Sequence, residues 1–330
     1  MNLTEFNQSD RCEHFSCPER SVSPAVYILL YVCSAAVVLL TVCGNLLVII
    51  SVFHFKQLHT PTNMLVLSLA VSDFLGGAFV MPPMLSWLIE SCWILGEDFC
   101  IVFFLISRFL GIFSVYNIAL VAVDRFLALS NPFLYMNAMS VRNMCIVVYS
   151  NWCMCMVYMV AFYYFNEIFR FSGMCPGECF LLSNEFWAVV DLVIAFIFPL
   201  SVIIILYTRV FIIAKKHATA IRKLKNHTRP KTQKITSDSM ESERKAAKVL
   251  GILVSVFLVC LLPYFIYSLL GDLIEIQATT LHELIFFTFL NTTINPVIYA
   301  LFYPWFRRCI KVIITLQIFQ TDSALINVFL

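Results

Sequence analysis

Seven stretches of almost unbroken apolar sequence divide this chain. They run over residues 25–51, 64–89, 101–129, 144–165, 186–214, 246–270 and 281–302, and each has the roughly 20 residues an α-helix needs to cross a hydrocarbon layer. No water reaches the backbone inside such a layer, so each stretch must satisfy its own hydrogen bonds as a helix. Charged residues are 13% of the 330, against roughly 25% in soluble domains. The chain reads as an all-α membrane protein, a seven-transmembrane helix bundle over residues 25–304. A polar tail covers 1–24, and an amphipathic helix with a second tail covers 305–330. The stretches are called spans one to seven in chain order.

Placement of Lys and Arg sets the orientation. With the N-terminus outside, only Arg11, Arg20 and Arg170 fall on the outer face. Lys56, Arg209, Lys215, Lys216, Arg307, Arg308, Lys311 and the basic loop over 217–244 fall inside. Residues 1–20 hold no apolar core, so no cleavable signal is expected and span one directs insertion. Asn2 and Asn7 open glycosylation sequons in the outer tail. Of 13 cysteines, Cys12, Cys17, Cys100, Cys175 and Cys179 lie at the oxidising face, with Cys92 close by. Their connectivity cannot be deduced from sequence alone.

Polar groups inside a span are costly and mark function. Asn45, Asp73, Ser114, the Asp124-Arg125 pair, Asn291 and Asn295 are of this kind. Span seven closes on Asn295-Pro296-Val297-Ile298-Tyr299. Pro296 removes a backbone donor, and the carbonyl it frees needs another partner; Asn291, Asn295 and trapped water are at hand. A kinked, hydrated helix end is a movable part, which points to a switch. Arg307, Arg308 and Lys311 with Trp305, Phe306 and Ile310 predict a short amphipathic helix at the headgroups. Cys309 on it is a candidate for palmitoylation. The sequence holds no nucleophile–base constellation, phosphate loop or metal-spaced cluster, so neither an enzyme nor a nucleic-acid binder is expected.

Several motifs fall in order along the spans. They are Gly44-Asn45-Leu46-Leu47-Val48, Leu67-Ser68-Leu69-Ala70-Val71-Ser72-Asp73, Asp124-Arg125-Phe126, Trp152, Pro199 with Tyr207, Phe257, Pro263, and Asn295-Pro296-x-x-Tyr299. In this the chain resembles the rhodopsin-like G-protein-coupled receptors over nearly its whole length. The resemblance implies that Arg125 pairs with Asp124 and Glu243 at rest and moves toward Tyr207 and Tyr299 when a G protein engages. It implies an interior sodium pocket at Asp73, Ser114, Asn291 and Asn295; a lone mid-membrane carboxylate needs a cation or a proton. It also implies a Cys100–Cys179 disulfide, with Phe180 following it into the ligand region. Leu261 replaces the usual tryptophan two residues before Pro263, so signal must reach Phe257 through other packing.

The stretch from Asn291 to Phe306, with Tyr303 and Trp305-Phe306 its distinctive parts, is similar to the trace amine-associated receptors. That likeness implies a further disulfide from Cys175 to Cys12 or Cys17. Amine receptors of this kind hold the ligand ammonium on an aspartate in span three. Eighteen residues before Arg125 make five turns, about 27 Å along the helix, and the residue there is Ser107. The span-seven tyrosine that steadies that aspartate is replaced by Phe289. Asp191, eight residues before Pro199, offers another acid. This resembles a branch, expanded in bony fishes, whose anchor moved to span five. The expected ligand is a small amine with its ammonium on Asp191, beside Ser107 and within aromatic faces from Tyr264, Phe265, Phe286 and Phe289. Glu275 and Glu283 are candidates to meet a second ligand charge, or are solvated residues of the rim.

Arg108 leaves an alternative open. It points about 100° round the helix from Ser107 and can pair with Asp191. The acid is then structural, or the pair reads a zwitterionic or acidic ligand.

The resemblance further implies a stimulatory or olfactory G protein, a rise in cyclic AMP, arrestin as a further partner, and the plasma membrane of olfactory sensory neurons. No cofactor beyond the sodium ion is expected. A secondary transporter is the rival class; it calls for inverted repeats and paired broken helices, which the sequence lacks.

Overall fold

A computed structural model describes residues 17, 23–165, 177, 179, 185–225, 249, 251–264, 266–267 and 278–329. Span one is Pro24–His54, span two Pro61–Glu90, span three Glu97–Ser130, span four Val141–Phe165 and span five Phe186–Lys216. These five are long and apolar enough to cross a membrane. Span six is described over Gly251–Tyr264 and span seven over Ala278–Phe302. Among the described residues there is no strand.

The ends of these helices follow local rules. Spans one and two begin on Pro24 and Pro61, whose missing amide protons no helix start requires. Thr60 caps span two by accepting from Asn63 N at 3.3 Å. Asn131 caps the short helix Pro132–Ala138, accepting from Leu134 N at 3.2 Å. Arg307 donates to the carbonyls of Ala300 and Leu301, which closes the last turn of span seven.

Prolines inside the spans are accommodated in two ways. Span five widens into a π-helical segment over Leu192–Ile197, where Phe198 N reaches back five residues to Val193 O. In that register the next amide would serve Ile194 O, but it belongs to Pro199 and has no proton. Tyr116 of span three supplies the bond instead, its hydroxyl donating to Ile194 O at 2.8 Å. In span seven Pro296 frees the carbonyl of Thr292, four residues back. Asn45 Nδ2 of span one donates to that carbonyl at 3.0 Å and to Thr41 O at 3.0 Å. Asn45 therefore takes the part expected of Asn291, Asn295 and water. Spans one and seven can lie this close because Gly44 faces the proline: a Cβ there would sit 2.9 Å from Pro296 Cβ.

Apolar side chains fill the bundle in clusters. The largest joins Val48, Leu69, Ile118, Ile203, Leu253, Phe257 and Tyr299, with Leu261 packed against it. Another gathers Trp87, Trp93, Phe103 and Leu110 beneath the Cys100–Cys179 bridge, with Phe289 against it. Cys17 is bonded to Cys92, on the connection between spans two and three, with Cα atoms 5.5 Å apart. This removes Cys17 as the partner expected for Cys175; Cys12 and Cys175 lie outside the described residues. Ser91, in the left-handed region at φ 53°, turns the chain just before Cys92. Trp93 N donates to Gly177 O at 2.8 Å, tying that connection to the following loop.

The helix Pro304–Ile314 packs Trp305, Phe306, Cys309 and Val312 inward and leaves Arg307, Arg308 and Lys311 exposed. Cys309 is fully buried, and that burial pushes its thiol up to about 11. An acyl chain has no room there, so the expected palmitoylation site is a core thiol. Left-handed turns at Leu316 and Asp322 bring the following segment back against span one. There Ser323 Oγ lies 2.9 Å from His54 Nε2, and Val328 N donates to Gln57 Oε1 at 3.1 Å.

Candidate functional site

Asp191 and Arg108 meet across the bundle. The Arg108 guanidinium, from span three, forms an ion pair with Asp191 Oδ1, from span five. Tyr158 of span four donates its hydroxyl to the same oxygen at 2.8 Å. Phe162, one turn further along span four, lies under the guanidinium, 4.0 Å from ring centroid to Cζ. Tyr264 of span six comes within electrostatic range of both charges. Four spans thus converge on one pair of charges.

The pair is neither sealed nor bare. The Arg108 and Asp191 side chains keep 30% and 24% of their surface. Yet Arg108 Nε is buried and has no hydrogen-bond partner among the described residues. The alternative left open in the sequence is the arrangement found: the Asp191 carboxylate is compensated rather than isolated. Desolvated charges are costly, and each partner offsets that cost for the other. Tyr158 and Phe162 were not singled out in the sequence. Their spacing of four puts them on one helix face, but nothing in a span rich in aromatics says which face meets span five.

The remaining expected ligand residues are distributed more widely. Ser107 Oγ donates to its own helix at Phe104 O, 3.2 Å away. Phe289 packs with the Trp87 and Phe103 cluster, and its carbonyl accepts from Thr292 Oγ1 at 2.6 Å. Phe180, Phe265, Glu243, Glu275, Asn2, Asn7, Cys12 and Cys175 lie outside the described residues. For Phe286 and Glu283 only the helical backbone is described.

Toward the other end of span three, Arg125 is held in place. Its Nε donates to Asp124 Oδ2 at 3.0 Å, and its terminal nitrogen donates to both Asp124 and Thr62 Oγ1. Thr62 in turn donates to Asp124 Oδ2 at 3.0 Å, and Tyr135 donates to Asp124 Oδ1 at 2.7 Å. Tyr135 is outside the spans; burial first, and then the Asp124 carboxylate, push its phenol up to about 12. Sequence reading missed Thr62 and Tyr135, which reach Asp124 from two other elements. Tyr207 and Tyr299 present buried hydroxyls with no hydrogen-bond partner among the described residues.

Midway along the bundle, Asp73 is fully buried and accepts from Asn295 Nδ2 at 2.7 Å. Its other oxygen, with the side-chain oxygens of Asn291 and Asn295, is buried without a hydrogen-bond partner among the described residues. Ser114 Oγ lies 3.4 Å from Ser72 Oγ, on the residue before Asp73. An oxygen-only donor set of this kind suits a hard cation, so these residues fit the expected sodium ion.

Residues 44–299 match a family profile described as "7 transmembrane receptor (rhodopsin family)". The chain is 37% identical to trace amine-associated receptor 13c of Danio rerio, over 100% of this chain and 99% of that one. It is 34% identical to trace amine-associated receptor 1 of Macaca mulatta, over 96% of each. It is 36% identical to trace amine-associated receptor 6 of Pan troglodytes, over 95% of this chain and 93% of that one.

Proposed function

The chain belongs to the rhodopsin family of seven-transmembrane receptors, among the trace amine-associated receptors, and on that premise we propose that it detects small amines through Asp191. Membership makes it a multi-pass membrane receptor, not an enzyme, that joins a small-molecule ligand to a heterotrimeric G protein. The observation that carries the amine reading is a partly accessible carboxylate where four spans converge. The ligand ammonium replaces Arg108 as its counter-charge, while Tyr158 keeps its hydrogen bond to Oδ1. Tyr264, Ser107, Phe289, Phe265, Phe286 and Phe180 serve in this reading as further ligand contacts.

Signal passes along span three to Arg125. At rest Asp124 and Thr62 hold the guanidinium. A ligand that binds the active bundle more tightly shifts the population toward it, and Arg125 then turns to Tyr207 and Tyr299. Pro296 and Phe257 lie on the moving helices, and Glu243 adds a further resting partner for Arg125. The N-terminus faces outside, with Asn2 and Asn7 glycosylated, and the basic loop faces a stimulatory or olfactory G protein that raises cyclic AMP. Arrestin binds the same face afterward. Asp73, Ser114, Asn291 and Asn295 hold sodium, which supplies a positive charge to the buried carboxylate in the resting bundle. Olfactory sensory neurons are the expected site of expression.

An amine panel applied to cells expressing the wild type and Asp191→Asn, with cyclic AMP and surface expression both measured, tests this reading. At least a tenfold loss of potency at unchanged surface expression supports it. An amine response that survives the substitution overturns it.

A further inference from the structure

Arg108 is the difficulty for any ligand that carries only a positive charge. To make Asp191 its counter-charge, such a ligand must compete with the guanidinium that already neutralises it through Oδ1. Arg108 keeps its charge, because guanidinium does not deprotonate in proteins, and two cations are then left to share one carboxylate beside the Phe162 ring. The pair is only partly desolvated, at 30% and 24% exposure, and an unbalanced extra charge beside it is still costly. A simple acid meets the mirror-image problem, because it takes Arg108 and strands Asp191.

A ligand bearing both charges avoids both costs. Its ammonium meets Asp191 and its carboxylate meets Arg108, so one internal pair is exchanged for two external ones. The geometry favours that exchange. Phe162 lies against the guanidinium, with Cζ 4.0 Å from the ring centroid, and gives the cation an aromatic face to rest on. Arg108 Nε is buried and has no hydrogen-bond partner among the described residues, so this donor is unused at rest and meets a carboxylate oxygen once the guanidinium turns from its present seat. A carboxylate that accepts from Nε and a terminal nitrogen together makes the two-pronged contact for which arginine is suited. Tyr158 holds Asp191 Oδ1 throughout, which keeps the acid oriented while its counter-charge changes.

We infer that Arg108 and Asp191 together form a zwitterion-reading site, and that the preferred ligand is an amine that also bears a carboxylate, of the amino-acid class. This rests on the proposed role of Asp191 and narrows it.

The test uses the full-length receptor in cells, with a cyclic AMP readout and a sensor of G-protein dissociation that covers several G-protein classes. Surface expression is measured for every variant. The probes are the common α-amino acids and short ω-amino acids, each beside its decarboxylated amine and its deaminated acid. The expected result is that the most active amino acid works at a concentration at least tenfold below both of its single-charge counterparts. Arg108→Gln should then erase that advantage over the amine, and Asp191→Asn should erase the advantage over the acid. The double variant Arg108→Asp with Asp191→Arg keeps an internal pair and so guards against misfolding; it should reach the surface and lose the amino-acid response.

Amines that outperform their amino acids in the wild type overturn the inference. If those amines also lose potency in Asp191→Asn, the amine reading stands without it. Amino acids that act through Arg108 but ignore Asp191→Asn overturn both. No response to any probe bearing a carboxylate overturns the inference as well.

Discussion

Asn45 of span one donates its side-chain amide to Thr292 O of span seven, the carbonyl that Pro296 leaves without a helical donor. Asn45 is fully buried, and its amide, which also donates to Thr41 O, repairs span seven from outside. Asn45→Ala would leave a desolvated carbonyl unpaired, at a cost of about 1–3 kcal/mol. The expected outcome is a lower melting temperature of the detergent-solubilised receptor. An unchanged value would mean that Thr292 O finds another donor at no cost.

The same proline limits what residue 44 can be. With 2.9 Å between a Cβ built there and Pro296 Cβ, even alanine forces spans one and seven apart. The contact is ring against backbone-borne carbon, and neither can rotate away. Gly44→Val is expected to destabilise by about 1–3 kcal/mol, the usual cost of overpacking, and to lower surface expression. Gly76→Ala serves as the control, because its added Cβ meets only Thr292 Cγ2 at 4.0 Å.

How much of this was legible in the sequence depends on what each feature answers to. The spans were legible because crossing hydrocarbon demands about 20 apolar residues wherever a helix does it. The Asp124-Arg125 pair was legible because the two are adjacent and charged. Partners from other spans were not legible, since helix rotation and axial shift are set by packing. Asn45 was read as a motif residue, yet no spacing rule carries it to Thr292. Tyr116 meets Ile194 O only because the π-helical segment before Pro199 moves the orphaned carbonyl back one residue. Cys92 stood near the oxidising face in the sequence; the turn at Ser91 is what carries it to Cys17. The Arg108–Asp191 pair was legible only as an alternative, because an acid in span five and a base in span three fix the charges but not the rotations that join them.

Tyr135 offers a way to test how firmly Arg125 is held. Its hydroxyl, with Thr62 Oγ1, positions Asp124 for the guanidinium. A hydrogen bond to a charged group is worth about 1.5–3 kcal/mol. If the bond exists only in the resting bundle, its loss shifts the resting–active balance about tenfold or more. Tyr135→Phe is therefore expected to raise ligand-independent cyclic AMP per surface receptor, and Thr62→Val to do so as well. Equal basal output from wild type and both variants would place control of Arg125 elsewhere.

Cys309 allows a test of how tightly the helix Pro304–Ile314 is seated. Its thiol is buried against the bundle and is shifted by that burial from its ordinary value of 9.0 to about 11. The neutral form is the one the folded state favours, so the thiolate, which is the reactive form, stays scarce in the intact receptor as pH rises from 7 through 9. With a membrane-permeant maleimide at pH 8, Cys309 should remain unlabelled in the intact receptor and label once the receptor is denatured. Mass spectrometry of peptides from native and denatured samples makes the comparison, and it reports any acyl chain on Cys309 at the same time. Prompt native-state labelling of Cys309 would show that the helix lifts away from span one, and a lipid found on that thiol would show that the buried position is not where it rests.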